Sequence, residues 1–136
     1  MKFITEENPM SVLYAQTQGT QQTSATSFTP IPGLTLTLPA GVKDQVLVIL
    51  NLPNPYATGN NYPGAMLGIS VNGTPLPAIA VFTYGVQVPA STNRMPTTLV
   101  VAVPLTNKPQ TVQGVWAGVR GSTVIIDSPS SLSVVI

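Results

Sequence analysis

Proline and glycine interrupt this chain so often that no unbroken amphipathic helix fits between them, and the short runs they leave are β-branched and alternating. There are fourteen prolines and eleven glycines. Inside a helix each proline would remove a hydrogen bond and each glycine would add to the entropy lost on folding. The apolar residues therefore follow a period of two, and the fold class read from it is all-β.

Leu34 to Leu38 (LTLTL) alternates apolar side chains with Thr as a half-buried strand does, and Gln45 to Leu50 (QVLVIL) is apolar enough to be covered on both faces. Met66 to Val71 and Leu76 to Tyr84 flank Asn72-Gly73, a pair that tolerates positive φ and predicts a type I′ hairpin. Thr97 to Leu105, Thr111 to Val119, Ser122 to Ile126 and Ser131 to Val135 continue the pattern. With Ser11 to Gln16 and Thr23 to Phe28, the expectation is about nine or ten short antiparallel strands. That number in one small chain predicts a two-sheet sandwich or jelly roll with Greek-key connections. Trp116 falls in an alternating run and reads as core, not as an exposed platform.

At 136 residues the chain is read as one domain over residues 11–136, preceded by an N-terminal extension over residues 1–10. Charged residues are 7% of it, against roughly 25% in ordinary globular proteins. Solubility then rests on Thr, Ser, Asn and Gln, and self-association is the economical expectation. A net charge of +1 on five basic residues leaves no basic stripe for nucleic acid. No run approaches 18 apolar residues, so no membrane insertion is expected. MKFITEENP places Glu6 and Glu7 where a secretory signal would be apolar, so the protein is expected in the cytoplasm as synthesised.

The side-chain inventory excludes most catalysis. With no His and no Cys, Ser-His-Asp triads, Cys-His pairs and ordinary zinc sites cannot be built. Glu6 and Glu7 lie in the extension, leaving Asp44 and Asp127 with no motif spacing for a glycosidase pair and no D-x-D pattern for calcium. The chain is read as a non-enzyme without metal or cofactor. Two stretches, Pro53 to Gly64 and Pro89 to Pro96, do not read as strands and are the loops in which to seek a site. The remaining functional groups, Arg94, Arg120, Tyr14, Tyr56, Tyr62, Tyr84 and Trp116, suit a neutral polar ligand. An arginine fork bridges adjacent hydroxyls and an aromatic face packs on the C–H side of a sugar. From composition alone, Arg94 and Arg120 read more often as turn caps or solvent-facing residues than as ligand contacts.

NLPNPYATGNNYPG (51–64), FTYGVQVPASTNRMP (82–96) and VWAGVRGSTVIIDSPSSLS (115–133), with IPGL (31–34) and VILN (48–51), occur in this order. Together they resemble the tumour-necrosis-factor-like fucose-binding lectin domain found at the N-terminus of a two-domain Burkholderia superlectin. The resemblance implies a jelly-roll protomer, a three-fold homotrimer and calcium-independent binding of terminal L-fucose on glycans in pockets between chains, with action at an extracellular or cell-surface site. Carried over by motif, one wall of each pocket uses Tyr56, Ser91, Thr92 and Arg94, and the neighbouring chain supplies Thr83, Tyr84 and Arg120. Asp127 and Ser128 also match the family. Met66 stands where the family has a tyrosine, Ile125 where it has a histidine, and Pro129 where it has another tyrosine. Losing one neutral hydrogen bond costs about 0.5–1.5 kcal/mol, so the preference for the first sugar is expected to persist while the oligosaccharide preference changes. Two other readings are a structural jelly-roll subunit of a fibre or capsid and, from the fold alone, a cytokine-like ligand.

Overall fold

The computed structural model describes residues 11–41, 44–85 and 93–136. Among them the regular elements are all strands: β1 (Val12–Gln16), β2 (Gln21–Thr23), β3 (Thr29–Leu38), β4 (Gln45–Leu52), β5 (Tyr56–Thr58), β6 (Gly64–Val71), β7 (Thr74–Thr83), β8 (Thr97–Pro104), β9 (Gln110–Val119), β10 (Thr123–Ile126) and β11 (Ser131–Val135). They form three antiparallel sheets in the orders β1-β11-β4-β8, β3-β9-β6-β7 and β2-β10-β5. The all-β, jelly-roll-like expectation holds, with eleven strands in place of nine or ten and a small third sheet beside the two larger ones.

The two four-stranded sheets face each other across the core. Val46, Val48, Leu50 and Leu52 of β4 point inward and are at most 2% exposed, opposite Leu34 of β3 and Trp116 of β9 in one continuous apolar cluster. Gly114 on β9 marks a close approach between sheets, since a Cβ there would meet Leu50 Cδ1 at 2.9 Å and Leu34 Cδ1 at 3.2 Å. The third sheet joins the same core through Ala57, Val124 and Ile126. Trp116 is buried, as its alternating run predicts.

The β6–β7 connection is the predicted hairpin. Asn72 (φ 50°) and Gly73 (φ 83°) both adopt the left-handed region that a type I′ turn demands. Asn72 also uses its side-chain oxygen to accept from the Thr111 N–H at 2.8 Å.

Two strand expectations need correction. Thr23 to Phe28 is not a strand: β2 covers Gln21–Thr23, after which the Thr23 hydroxyl accepts from the Ala25 N–H at 3.1 Å and turns the chain. Phe28 then lies over Gly68, 3.4 Å from where a Cβ would stand. Tyr56–Thr58, read as loop, is β5, created by pairing with β10 in the register Tyr56↔Ile125, Ala57↔Val124 and Thr58↔Thr123.

The outer surfaces differ in kind. β3 and β7 flank their sheet and both open on the same pattern, TPIP and TPLP. Prolines on edge strands withhold ladder donors and discourage edge-to-edge pairing. The outward face of the β1-β11-β4-β8 sheet is instead apolar. One row across it reads Val12, Val135, Leu47, Ala102 and the next reads Tyr14, Ser133, Ile49, Val100. Val12, Tyr14, Leu47 and Val100 there are 45–58% exposed. The reading of Gln45 to Leu50 as covered on both faces thus holds within one chain for the inward face only.

Candidate functional site

The first polar constellation gathers around Arg94. The segment before β8 is pinned to the start of β5 by a backbone bond from the Met95 N–H to the Pro55 carbonyl at 3.0 Å, which brings Arg94 over Tyr56. The guanidinium carbon lies 4.2 Å from the Tyr56 ring centroid, within the range of a favourable cation–π contact. Arg94 Nη1 donates to Asp127 Oδ1 at 2.7 Å and to the Asn54 carbonyl at 3.2 Å. Asn54 in turn donates from Nδ2 to Ser128 Oγ at 2.9 Å. Both Arg94 contacts fall on one nitrogen of a fork that carries five donors. The Arg94 side chain is 27% exposed and that of Asp127 34%, so the pair is accessible to a ligand and to salt.

Tyr84 stands beneath this group. The residue is only 7% exposed, and its ring lies 5.6 Å from that of Phe82. Its hydroxyl donates to the Asn93 carbonyl at 2.5 Å and accepts from the Ala57 N–H at 3.3 Å. Burial pushes the phenol above its ordinary pKa, against the opposing pull of the Ala57 N–H and the Arg94 charge.

The second constellation is the β9–β10 hairpin tip. Arg120 (φ 53°) and Gly121 (φ 75°) form another two-residue turn, closed by the Ser122 N–H on the Val119 carbonyl at 3.0 Å. A left-handed backbone is costly for a long side chain such as Arg, and the surroundings hold it there. Asn60 Nδ2 donates to the Arg120 carbonyl at 2.9 Å and to Ser122 Oγ at 3.0 Å, while Asn60 Oδ1 accepts from the Tyr62 N–H at 2.9 Å. The buried Ser122 hydroxyl also accepts from the Gly64 N–H at 3.0 Å and donates to the Val119 carbonyl at 2.5 Å, which satisfies its full capacity. The Arg120 guanidinium bonds the Tyr62 carbonyl and its carbon lies 6.0 Å from the Tyr62 ring centroid.

Thr83 and Met66 share the sheet face next to this tip. Thr83, Gly64 and Val119 form one row across β7, β6 and β9, and Val81, Met66 and Ala117 form the next but one. Thr83 is exposed and Met66 half-buried.

The candidate residues therefore fall into two groups. Tyr56, Arg94, Asp127 and Ser128 come together through Asn54, with Tyr84 behind them and Ile125 opposite Tyr56 on β10. Thr83, Met66 and Arg120 share the other end of the β9-β6-β7 face. Among the described residues no hydrogen bond joins Arg94 or Tyr56 to Thr83 or Arg120. Ser91 and Thr92 lie outside the described residues. Sequence reasoning passed over Asn54, Asn60 and Ser122, whose sole signal is their place in turn-forming PNP, GNN and RGS stretches.

Comparison with curated proteins yields no match. The family model described as Bc2l-C, N-terminal domain matches residues 18–135, taking in both constellations and ten of the eleven strands. The chain belongs to the Bc2l-C N-terminal domain family.

Proposed function

We propose that the protein is a non-catalytic lectin that binds terminal L-fucose in pockets completed between neighbouring protomers of a homotrimer, and that it acts on glycosylated surfaces outside the cell. The observation that carries this reading is the stack of Arg94 on Tyr56, held at one nitrogen by Asp127, in a chain of this family. A guanidinium fixed in this way presents a planar set of donors to vicinal hydroxyls, and the aromatic flank accepts the apolar edge of a deoxy sugar.

The division of the candidate residues into two groups, with no hydrogen bond between Arg94 or Tyr56 and Thr83 or Arg120 among the described residues, supports a pocket shared between chains. The apolar outer face of the β1-β11-β4-β8 sheet supports association through that face. The proline-marked edges of the other sheet leave little room for open-ended strand pairing. Single sites of micromolar to millimolar strength, about 4–8 kcal/mol each, would gain avidity from several pockets on one assembly.

Binding of the labelled protein to a glycan array with fucose, mannose and galactose series tests the proposal. Selective signal on fucose in one or more linkages is expected. Signal on another sugar would discard the fucose pocket and keep the lectin. Silence from a folded, discrete oligomer would overturn both in favour of a structural subunit.

A further inference from the structure

The outward face of the β1-β11-β4-β8 sheet changes character along its strands. The rows from Val12 to Ala102 and from Tyr14 to Val100 are apolar but for Ser133 and the Tyr14 hydroxyl. The next row is wholly polar, with Gln16, Ser131, Asn51 and Thr98 side by side across the four strands. No charged residue occurs in any of these strands. The polar row borders the first constellation. Asn51 precedes Asn54 and Ser131 follows Ser128 by three positions each, and the Thr97 hydroxyl, next to Thr98, donates to the Met95 carbonyl at 2.7 Å.

Within the row the amide oxygens are committed and the amide nitrogens are not. Asn51 Oδ1 accepts from the Thr98 hydroxyl at 2.9 Å, and Gln16 Oε1 accepts from the Tyr14 hydroxyl at 2.8 Å. Among the described residues neither Asn51 Nδ2 nor Gln16 Nε2 has a partner in its own chain, so both carboxamides keep their N–H donors for other groups. Acceptors that match them, the Ser131 and Ser133 hydroxyls, stand on the same face. A second copy of the face therefore offers what the first lacks.

Apolar contact holds two surfaces together without fixing their offset, because it is non-directional and scales with area. A shared pocket needs more, since Arg120 of one chain must arrive beside a ligand held by Arg94 of another. A buried amide left without a partner is penalised, so a few polar groups in an apolar interface select one alignment among many.

We infer that the polar row sets the register of neighbouring protomers: Asn51 and Gln16 donate to hydroxyls on a second copy of this chain, while the apolar rows supply the adhesion. The inference rests on the proposed pocket shared between chains. It makes Asn51 and Gln16 positioning residues, not contacts of the sugar.

The test compares the wild type with Asn51→Leu, Gln16→Leu, the double variant and Thr98→Val, by light scattering and by calorimetric titration with methyl α-L-fucoside. Leucine removes the amide donors and enlarges the apolar face, so every variant should remain oligomeric. Fucoside affinity should fall about tenfold or more in the double variant, the equivalent of one or two modest hydrogen bonds in a misaligned pocket. Gln16→Leu alone should also weaken binding; it lies on β1, with β11 between it and β4, and so acts without disturbing Asn51. Thr98→Val removes the bond within the chain to Asn51 Oδ1 but leaves the amide donors, and should bind as the wild type does. Wild-type affinity in the double variant, a monomeric double variant, or an equal fall in Thr98→Val would overturn the inference and leave the fucose reading intact. Absence of fucoside binding by the wild-type oligomer would remove that reading and the inference with it.

Discussion

The guanidinium of Arg94 is caught between two partners of opposite character, the Tyr56 ring 4.2 Å from its central carbon and the Asp127 carboxylate 2.7 Å from Nη1. Stacking restricts the plane of the fork and the ion pair restricts its rotation within that plane. The two together orient donors before any ligand arrives, which lowers the ordering cost of binding.

Asp127→Asn keeps the shape and removes the charge. Because the pair is about a third exposed, stability should change by less than about 1 kcal/mol. Fucoside affinity should fall several-fold as the fork loses its anchor. Titration calorimetry alongside urea denaturation checks both, and a loss of stability without a loss of affinity would assign Asp127 a purely structural part.

Arg120 occupies a backbone region that favours glycine, at φ 53°. In Arg120→Gly, relief of about 1–2 kcal/mol of left-handed strain opposes the greater entropy glycine loses on folding and the lost contact with Tyr62. The variant should unfold within about 1 kcal/mol of the wild type and yet fail to bind fucoside. A denaturation curve and a titration on one preparation decide the matter.

Ser122 is a saturated buried hub. Ser122→Ala would leave the Gly64 N–H without its 3.0 Å partner and the Val119 carbonyl without its hydroxyl donor. The expected cost is about 1–3 kcal/mol, read from the urea midpoint at unchanged slope.

Tyr84 makes stability pH-dependent on the alkaline side. Burial raises its folded pKa above the ordinary 10.0, so folding favours the neutral phenol. Its contribution is fully present below about pH 10 and is lost as pH rises through the raised folded value. Wild-type stability should therefore decline more steeply than that of Tyr84→Phe above about pH 10, the other tyrosines being common to both. Parallel declines in denaturation midpoints would contradict the assignment.

The strands were legible wherever local pattern decides them. Alternation located β3 and β9, a continuous apolar run located β4, and Asn72-Gly73 fixed a turn because few residues tolerate its dihedral angles. β5 was not legible, since three residues between Pro55 and Gly59 form a strand only through pairing with β10, far along the chain. Thr23 to Phe28 misled because β-branched and aromatic residues carry strand propensity, while the Thr23 hydroxyl bends the chain. At the site, the motifs named Arg94 and Asp127 separately. Their pairing across 33 positions, and the inward turn of Tyr84, depend on tertiary packing that no short motif encodes.

Assembly through the apolar sheet face has its own test. Leu47 is 45% exposed in the single chain, so Leu47→Asp should be tolerated by the protomer and intolerable in a dry interface. Light scattering should report monomers that retain a β-sheet spectrum, and an unchanged oligomer would place the interface elsewhere.

The central claim is that each pocket takes Arg94 from one chain and Arg120 from the next. Arg94→Ala and Arg120→Ala should each be silent toward fucoside, and unfolding and refolding the two together should restore binding, because every mixed trimer contains one junction where both arginines are intact. Titration of that mixture with methyl α-L-fucoside, against each parent alone, is the most direct measurement. Recovered binding is the predicted result, and a mixture that forms mixed trimers yet stays as silent as its parents would contradict the shared pocket.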